Sequence, residues 1–395
     1  MVRVTGNFVK ESPLHPKAQA ALAAAFDAGW ADPKKLSQVA NRANRMRAEA
    51  TESLAHLLTL RIDEIEVLGE PLLGHYLSIA GFATGASTNI FYGATSRSEI
   101  IATARSFTPH EIAVGLKGDI QVSPSTQSGI FALQIANGET GVIAQSQKIV
   151  DAYPNALIAC DATTTPDISL LPNRWDSALF DSQSWAGPAG IAILGIRNSK
   201  LWKNPFPHIG IKRVPQSYSL PLLLSSVVAL EAWRNESELR QLNQSLRARI
   251  AKEVHDCDIA GDLDKSLASI ASFSFLYCHG EELVRALALR GFDVDSGSAC
   301  TSDDLAPSHV LAAMGVLTHG NIRITLHDGS TQDDIDALAT AIIECAQAMS
   351  ELVPGESIEL LSDDPATLPD LLAWGRMTNN FVEAQGPETF HITKK

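Results

Sequence analysis

Between residues 110 and 200 the chain alternates short apolar runs with polar, helix-spaced stretches. "SGIFALQIA", "ALIACDA", "SALFD" and "GIAILGI" read as strands, and "SQKIVDAY" reads as a helix between the first two. Strands separated by helices or loops predict βαβ units and a mostly parallel sheet. Upstream, residues 16–58 carry Ala/Leu-rich patterns with apolar positions three and four apart, the period of a half-buried helix. Asp32-Pro33 marks the expected start of the second of these helices. "IDEIEVLG" follows as a short strand, and residues 219–256 read as one or two long helices. From residue 268 the texture changes. "SIASFSFLY", "EELVRALALRG", "FDVDSGSAC", "NIRITLH" and "DDIDALATAIIECAQAM" make a β-α-β-β-α series, a second and smaller α+β unit. The last 40 residues are rich in proline and acid, and are expected to wrap or dangle as a tail rather than form another domain.

Composition narrows the class. A chain of 395 residues is too long for one simple core, so two packed units are expected. Apolar residues make up 45% and charged residues 19%, a globular balance. The net charge of −14 repels phosphate backbones and anionic lipid, which argues against nucleic acid and membrane surfaces as partners. No apolar run approaches the ~20 residues that span a bilayer, and "MVRVTGNFVKESPLHP" has no apolar stretch of signal-peptide length. The five cysteines are scattered without a CxxC pair, which reads as reduced thiols in a cytoplasmic protein.

Common motifs are absent: no P-loop, no Gly-rich dinucleotide fingerprint, no G-x-S-x-G elbow, and no HxH or HxxxH spacing that would hold a metal. Four other stretches are more specific when taken together: "IANGETGVI" (135–143), "IACDATTT" (158–165), "FDSQSWAGPAGIAIL" (180–194) and "DSGSACTSDDLAPSHVLAAMG" (295–315). Their order and spacing resemble the cysteine desulfurases, within the class V aminotransferase group of fold-type I pyridoxal-phosphate (PLP) enzymes. "SPLHPKAQAAL" near the start and "NIRITLH" near the end also fit.

The resemblance implies the fold: α/β, a large domain with a mostly parallel seven-stranded sheet over residues 14–256. Residues 1–13 and 257–350 would make the smaller α+β domain, and 351–395 an acidic, proline-containing tail. It also implies roles. Cys300, in "SGSACTS", matches the nucleophilic cysteine that accepts sulfur, with a small buried hydrophobe as the alternative. Asp161 matches the aspartate that holds the pyridine nitrogen and makes the ring an electron sink, with a strand-end residue bonded to backbone as the alternative. Arg323 matches the arginine that grips a substrate carboxylate, with an ordinary ion pair as the alternative. Thr164 stands where the family has a glutamine, Gly138 where it has an asparagine (Asn137 is adjacent), and the ring-stacking histidine falls on or near Arg97. Ser219, in "QSYSLP", stands where a neighbouring subunit would supply a threonine.

The anchor itself is replaced. The family places a Ser-x-His-Lys run before the Gly-Pro turn, and its lysine forms the Schiff base with PLP. Here Gln183 and Ser184 stand at the histidine and lysine positions, and a serine hydroxyl cannot form an imine. The phosphate-binding turn reads Gly69-Glu70-Pro71, in which proline donates no N–H and Glu70 adds a carboxylate. Asp181 stands at a phosphate-binding serine. Each like-charge contact with a phosphate costs on the order of 4 kcal/mol at ~4 Å and an effective dielectric of ~20. The expectation is a homodimeric desulfurase homologue that has lost PLP catalysis and acts as a binding, scaffold or regulatory protein. A sulfur-acceptor or iron–sulfur assembly protein is its candidate partner. The alternatives are thiol or persulfide transfer through Cys300, and non-covalent use of PLP.

Overall fold

The computed structural model of the protein describes residues 6–350 apart from 12, 28–30, 34, 209–213, 215–216, 235–236, 277 and 297–307, and beyond them 357–361, 368, 371–372, 380–386 and 389–393. It opens with a two-residue strand, β1 (Asn7–Phe8), and two helices, α1 (Pro16–Asp27) and α2 (Gln38–Leu57). The second helix starts beyond the Asp32-Pro33 expected from sequence. Ser37 is the residue that caps it, its hydroxyl accepting the N–H of Ala40.

Seven strands then form the main sheet: β2 (Ile65–Leu68), β3 (Asn89–Gly93), β4 (Thr108–Ile112), β5 (Gly129–Gln134), β6 (Ala156–Asp161), β7 (Ser177–Asp181) and β8 (Ala192–Ile196). The order is β2-β8-β7-β6-β5-β3-β4, and only β8 runs against the rest. Three helices lie between these strands in sequence: α3 (Pro71–Ala80), α4 (Ser98–Arg105) and α5 (Ser146–Ala152). β6, β7 and β8 read as continuous apolar runs because both faces of the sheet are covered. The pleat sends alternate residues to opposite layers. Phe131, Ile158, Cys160, Phe180 and Ile193 pack with Ala43 and Leu54 of α2 and with Leu223, while Ala132, Ala159, Leu179 and Leu194 pack with Leu77 of α3 and Ile100 of α4.

Two helices, α6 (Leu220–Ala232) and α7 (Ser237–Glu253), lead to a second, five-stranded sheet. It is built from β9 (Cys257–Ile259), β10 (Ile270–Phe275), β11 (Asp293–Ser296) and β12 (Asn321–Thr325) in the order β1-β11-β12-β10-β9. The N-terminal strand β1 adds to it in parallel against β11. Helices α8 (Gly280–Leu289), α9 (His309–Met314) and α10 (Gln332–Ser350) complete this half. Its own apolar cluster joins Phe8, Leu246, Phe273, Leu287 and Ile342. The C-terminal stretch is more ordered than the expected tail. β13 (Ser357–Leu361), β14 (Phe381–Ala384) and β15 (Thr389–Thr393) pair antiparallel in the order β13-β15-β14 over a small cluster of Leu371, Val382, Phe390 and Ile392. Among the described residues, no helix is long and apolar enough to cross a membrane.

Candidate functional site

In an open parallel sheet, ligands sit outside the carboxyl ends of the strands, where the strand order reverses. Here the order reverses between β3 and β5, and the loops leaving these two strands carry Arg97 and Asn137–Gly138. Asp161 ends β6 and Asp181 ends β7, at the same edge.

Asp161 is the centre of a buried polar cluster. Its side chain is 4% exposed. Oδ1 accepts the Thr163 N–H at 3.0 Å and the Thr163 hydroxyl at 2.6 Å. Nε2 of His75, one turn into α3, lies 3.5 Å from the same oxygen. Oδ2 forms an ion pair with Arg97, 2.7 Å from its Nε. Arg97 stands at the N-cap of α4 without capping it through its side chain, so the guanidinium is free to reach across, and Nη2 donates to the Thr164 hydroxyl at 3.1 Å. Burial pushes the Asp161 carboxyl up, but the Arg97 and His75 charges, with the bonds from His75 and Thr163, outweigh it and hold the group well below the usual carboxylate range. The other nitrogen of His75, Nδ1, meets the Pro71 carbonyl at 3.1 Å, so both ring nitrogens face acceptors.

The polar triplet after β7 is a 3-10 turn, Ser182–Trp185, closed by Ala186 in the left-handed region at φ 54°. It is bolted to α6: the Ser182 hydroxyl meets the Ser226 hydroxyl at 2.8 Å, and Nε1 of buried Trp185 donates to the Ser226 carbonyl at 3.0 Å. Ser184 turns its hydroxyl onto the Asp181 carbonyl at 2.8 Å, and the Gln183 N–H is taken by the Asp181 carboxylate at 3.1 Å. Burial raises the Asp181 carboxyl, against the Gln183 N–H and the charges of Lys10, Arg97 and His75.

Three of the remaining positions, Asn137, Arg323 and Glu70, are similarly engaged from within. Asn137 donates to the Thr95 carbonyl at 2.9 Å and accepts the N–H groups of Glu139 and Thr140, both at 2.9 Å, pinning its own loop to the exit of β3. Arg323 on β12 pairs through Nη2 with Asp295, its cross-strand neighbour on β11, at 2.5 Å, and through Nη1 reaches the Gly138 carbonyl at 3.2 Å. Glu70 caps α3 itself, its carboxylate accepting the Leu72 N–H at 3.1 Å with Pro71 at the first helical position. Ser219 stands at the N-cap of α6 without a side-chain cap bond and lines a cavity of about 610 Å³ with Asn44, Arg47, Gly69 and Gly190. Asp161 and Ser184 do not line that cavity.

The residues named from sequence come to one edge of the fold: Asp161, Thr164, Asn137, Gln183, Ser184 and, from the second sheet, Arg323. Cys300 lies outside the described residues. The four described cysteines, Cys160, Cys257, Cys278 and Cys345, are free thiols raised by burial, Cys257 and Cys278 to about 12, so none of them is an activated nucleophile. Lys200 and Lys203 follow the reversed strand β8 and lie at the opposite edge of the sheet, where the Lys203 N–H bonds the Gly81 carbonyl. His75, Asp295 and Lys10 join the site without a motif to announce them. For His75 the available signal is one imidazole inside the apolar run "LLGHYLSIA"; the other two are brought in by strand pairing across the second sheet, which single-chain patterning does not carry.

The fold is consistent with the architecture of fold-type I PLP transferases, and solved structures agree. A NifS-like protein superposes with a TM-score of 0.75 at 20% identity, covering 87% of this chain and 100% of its own. A NifS-like protein from Rickettsia africae gives 0.72 at 18%, covering 87% and 99%. Residues 208–338 match the aminotransferase class-V family model. The chain is similar to cysteine desulfurases. One from a Nostoc species is 27% identical over 262 residues, 61% of this chain and 64% of the relative, so this alignment spans just under two thirds of that protein. IscS of Dictyoglomus turgidum is 24% identical over 361 residues, 84% and 91% of the two chains.

PLP is the cofactor that the fold implies, and the residues present do not fit it. A pyridine nitrogen needs a free face of the carboxylate, but Oδ1 of Asp161 is claimed by Thr163 and Oδ2 is covered by the Arg97 guanidinium. The helix N-terminus that would hold its phosphate is capped by Glu70. Ser184, which the sequence resemblance sets at the anchor position, bonds backbone through its hydroxyl. Among the described residues, no group of three or more His, Cys, Asp or Glu is placed to hold a metal ion.

Proposed function

We propose that this chain is a cysteine-desulfurase homologue without PLP catalysis, a cytoplasmic homodimeric binding or scaffold protein in sulfur handling. The observation that carries this reading is the 2.7 Å contact between Arg97 and Asp161, which gives the family's ring-binding aspartate an internal counter-ion. Arg323–Asp295 and Glu70 at the head of α3 support it in the same way: each polar subsite is met by a side chain of the chain itself. The division into a large domain over 14–256 and a small one of 1–13 with 257–350 belongs to this proposal. A sulfur-acceptor or iron–sulfur assembly protein is the partner it implies, by similarity to relatives named as cysteine desulfurases.

The purified protein is expected to show no PLP absorbance, to give no lysine adduct in the pocket after PLP titration and borohydride reduction, and to release no sulfide from cysteine. Ser184→Lys alone is expected to leave all three results unchanged, because the new amine meets a pocket whose other contacts are already taken. Stoichiometric PLP in the native protein, or sulfide release from the single variant well above the parent, would reject the reading.

Assembly gives an independent check. Leu36 and Val39, flanking the start of α2, and Leu72 on the first turn of α3 are exposed apolar side chains, a cost that a second copy would remove. Light scattering is expected to return twice the 42.3 kDa chain mass at micromolar concentration; a monomer there would count against the homodimer.

A further inference from the structure

We propose that Arg97 is a built-in occupant of the cofactor-ring seat, and that this side chain, more than the missing lysine, closes the pocket to PLP. The inference deepens the reading above and rests on it. Four observations carry it. First, Arg97 Nε lies 2.7 Å from Asp161 Oδ2, the carboxylate that the family resemblance assigns to the ring nitrogen. The contact is an ion pair rather than an aligned hydrogen bond. A guanidinium there presents the same feature as a pyridinium: a cationic, planar group against a carboxylate. Second, the same guanidinium also holds Thr164, at 3.1 Å, so it is fixed at two points rather than one. Third, the residue across from it is Gly138, and a Cβ added there would come within 3.6 Å of the Thr164 hydroxyl and 3.8 Å of Arg97 Nη2. Arg97 therefore lines this wall of the pocket, with room for only about one methyl group between it and the Gly138 backbone. Fourth, Arg97 is only 19% exposed and Asp161 only 4%, so the pair is shielded, and its separation leaves a buried charge behind. A ligand ring must displace it before it can reach Asp161.

The phosphate end is a weaker barrier in this account. The Glu70 carboxylate accepts one hydrogen bond, from the Leu72 N–H at the mouth of α3, and a competing anion has that contact to break.

The test places a lysine at the anchor position and then opens one barrier at a time, reading PLP binding by absorbance and equilibrium dialysis rather than activity. Ser184→Lys alone is the reference. Adding Arg97→Ala is expected to tighten PLP binding at least tenfold and to allow borohydride trapping of an adduct on the introduced amine. Adding Glu70→Gln to the reference is expected to gain less. Arg97→Gln, which keeps an N–H donor for Thr164 but no charge, replaces Arg97→Ala if that variant does not fold. Equal PLP affinity with and without Arg97, or a larger gain from Glu70→Gln, overturns the proposal while leaving the non-catalytic reading intact. Tight PLP binding by the native chain overturns both.

Discussion

Asp161→Ala is expected to lower the unfolding free energy at neutral pH by about 3–5 kcal/mol, the range for breaking one side of a buried pair. The substitution strands Arg97 beside His75 and leaves the Thr163 N–H and hydroxyl without their acceptor. In a protein that uses the aspartate to hold a cofactor, the main loss would be in cofactor affinity. Under the proposed reading the main loss is expected in stability, and urea unfolding of parent and variant measures it. The pH dependence gives a second reading. The folded Asp161 carboxyl is depressed, so its contribution is fully present above the ordinary carboxylate value of 3.8 and is lost as pH falls through the depressed one. The gap between parent and Asp161→Ala should therefore be constant from pH 5 to 7 and narrow in acid. A gap that is absent at pH 7 would mean that the Arg97 contact contributes nothing, and would remove the basis for the non-catalytic reading. The double variant Asp161→Ala with Arg97→Ala should regain part of the loss, since it leaves no uncompensated charge in the cluster.

What the sequence discloses follows from which forces act locally. The central strands are legible because a sheet covered on both faces demands unbroken apolar runs, as in "ALIACDA" and "GIAILGI". The edge strand β4, "TPHEI", is not: it alternates exposure and carries charge, and nothing in its composition marks it as the end of a parallel sheet beside β3. The start of α2 lies beyond Asp32-Pro33 because Asp-Pro is a generic start signal, whereas the Ser37 cap depends on one hydroxyl meeting one N–H. The C-terminal strands give little signal because, among the described residues, they bury only Val382, Phe390 and Ile392 between acid- and proline-rich segments. At the site, the residue types are legible but not their pairing. Ser184, Glu70 and Asp161 can be named from motif position. That Arg97 meets Asp161, Asp295 meets Arg323, and Glu70 caps its own helix are contacts set by backbone geometry. Like-charge repulsion at the phosphate site, the expectation from sequence, is joined by a different effect: charges of the site are paired within the chain, Asp161 with Arg97 and Arg323 with Asp295.

Glu282→Gln is expected to stabilise the protein above neutrality by about 2–3 kcal/mol, set by the shift of one buried carboxyl at about 1.4 kcal/mol per pH unit. Glu282 lies in the first turn of α8, where a carboxylate ordinarily benefits from the helix N-terminus. Burial nevertheless dominates and pushes its carboxyl from 4.5 up to about 7, against the favourable charge of Arg285 and with the help of the neighbouring Glu281. Oε1 is buried without a hydrogen-bond partner among the described residues. The sign follows directly. Below pH 4.5 the group is protonated in both the folded and the unfolded chain and makes no difference. Between 4.5 and about 7 the folded chain holds a proton that the unfolded chain has released, so stability falls as pH rises. Above 7 the full penalty is present, and it is of the stated size after allowance for solvent relaxation. Glutamine has no charge to desolvate and the same shape, so parent and variant should unfold alike at about pH 4 and diverge by about pH 8. Cys278 supplies an internal reporter: burial first, and the Glu282 charge second, raise its thiol to about 12. Removing that charge should bring the thiol down and speed its alkylation at high pH. Unfolding midpoints of the two proteins that stay parallel from about pH 4 to 8 would show that Glu282 is solvated, and the thiol rate would then be unchanged as well.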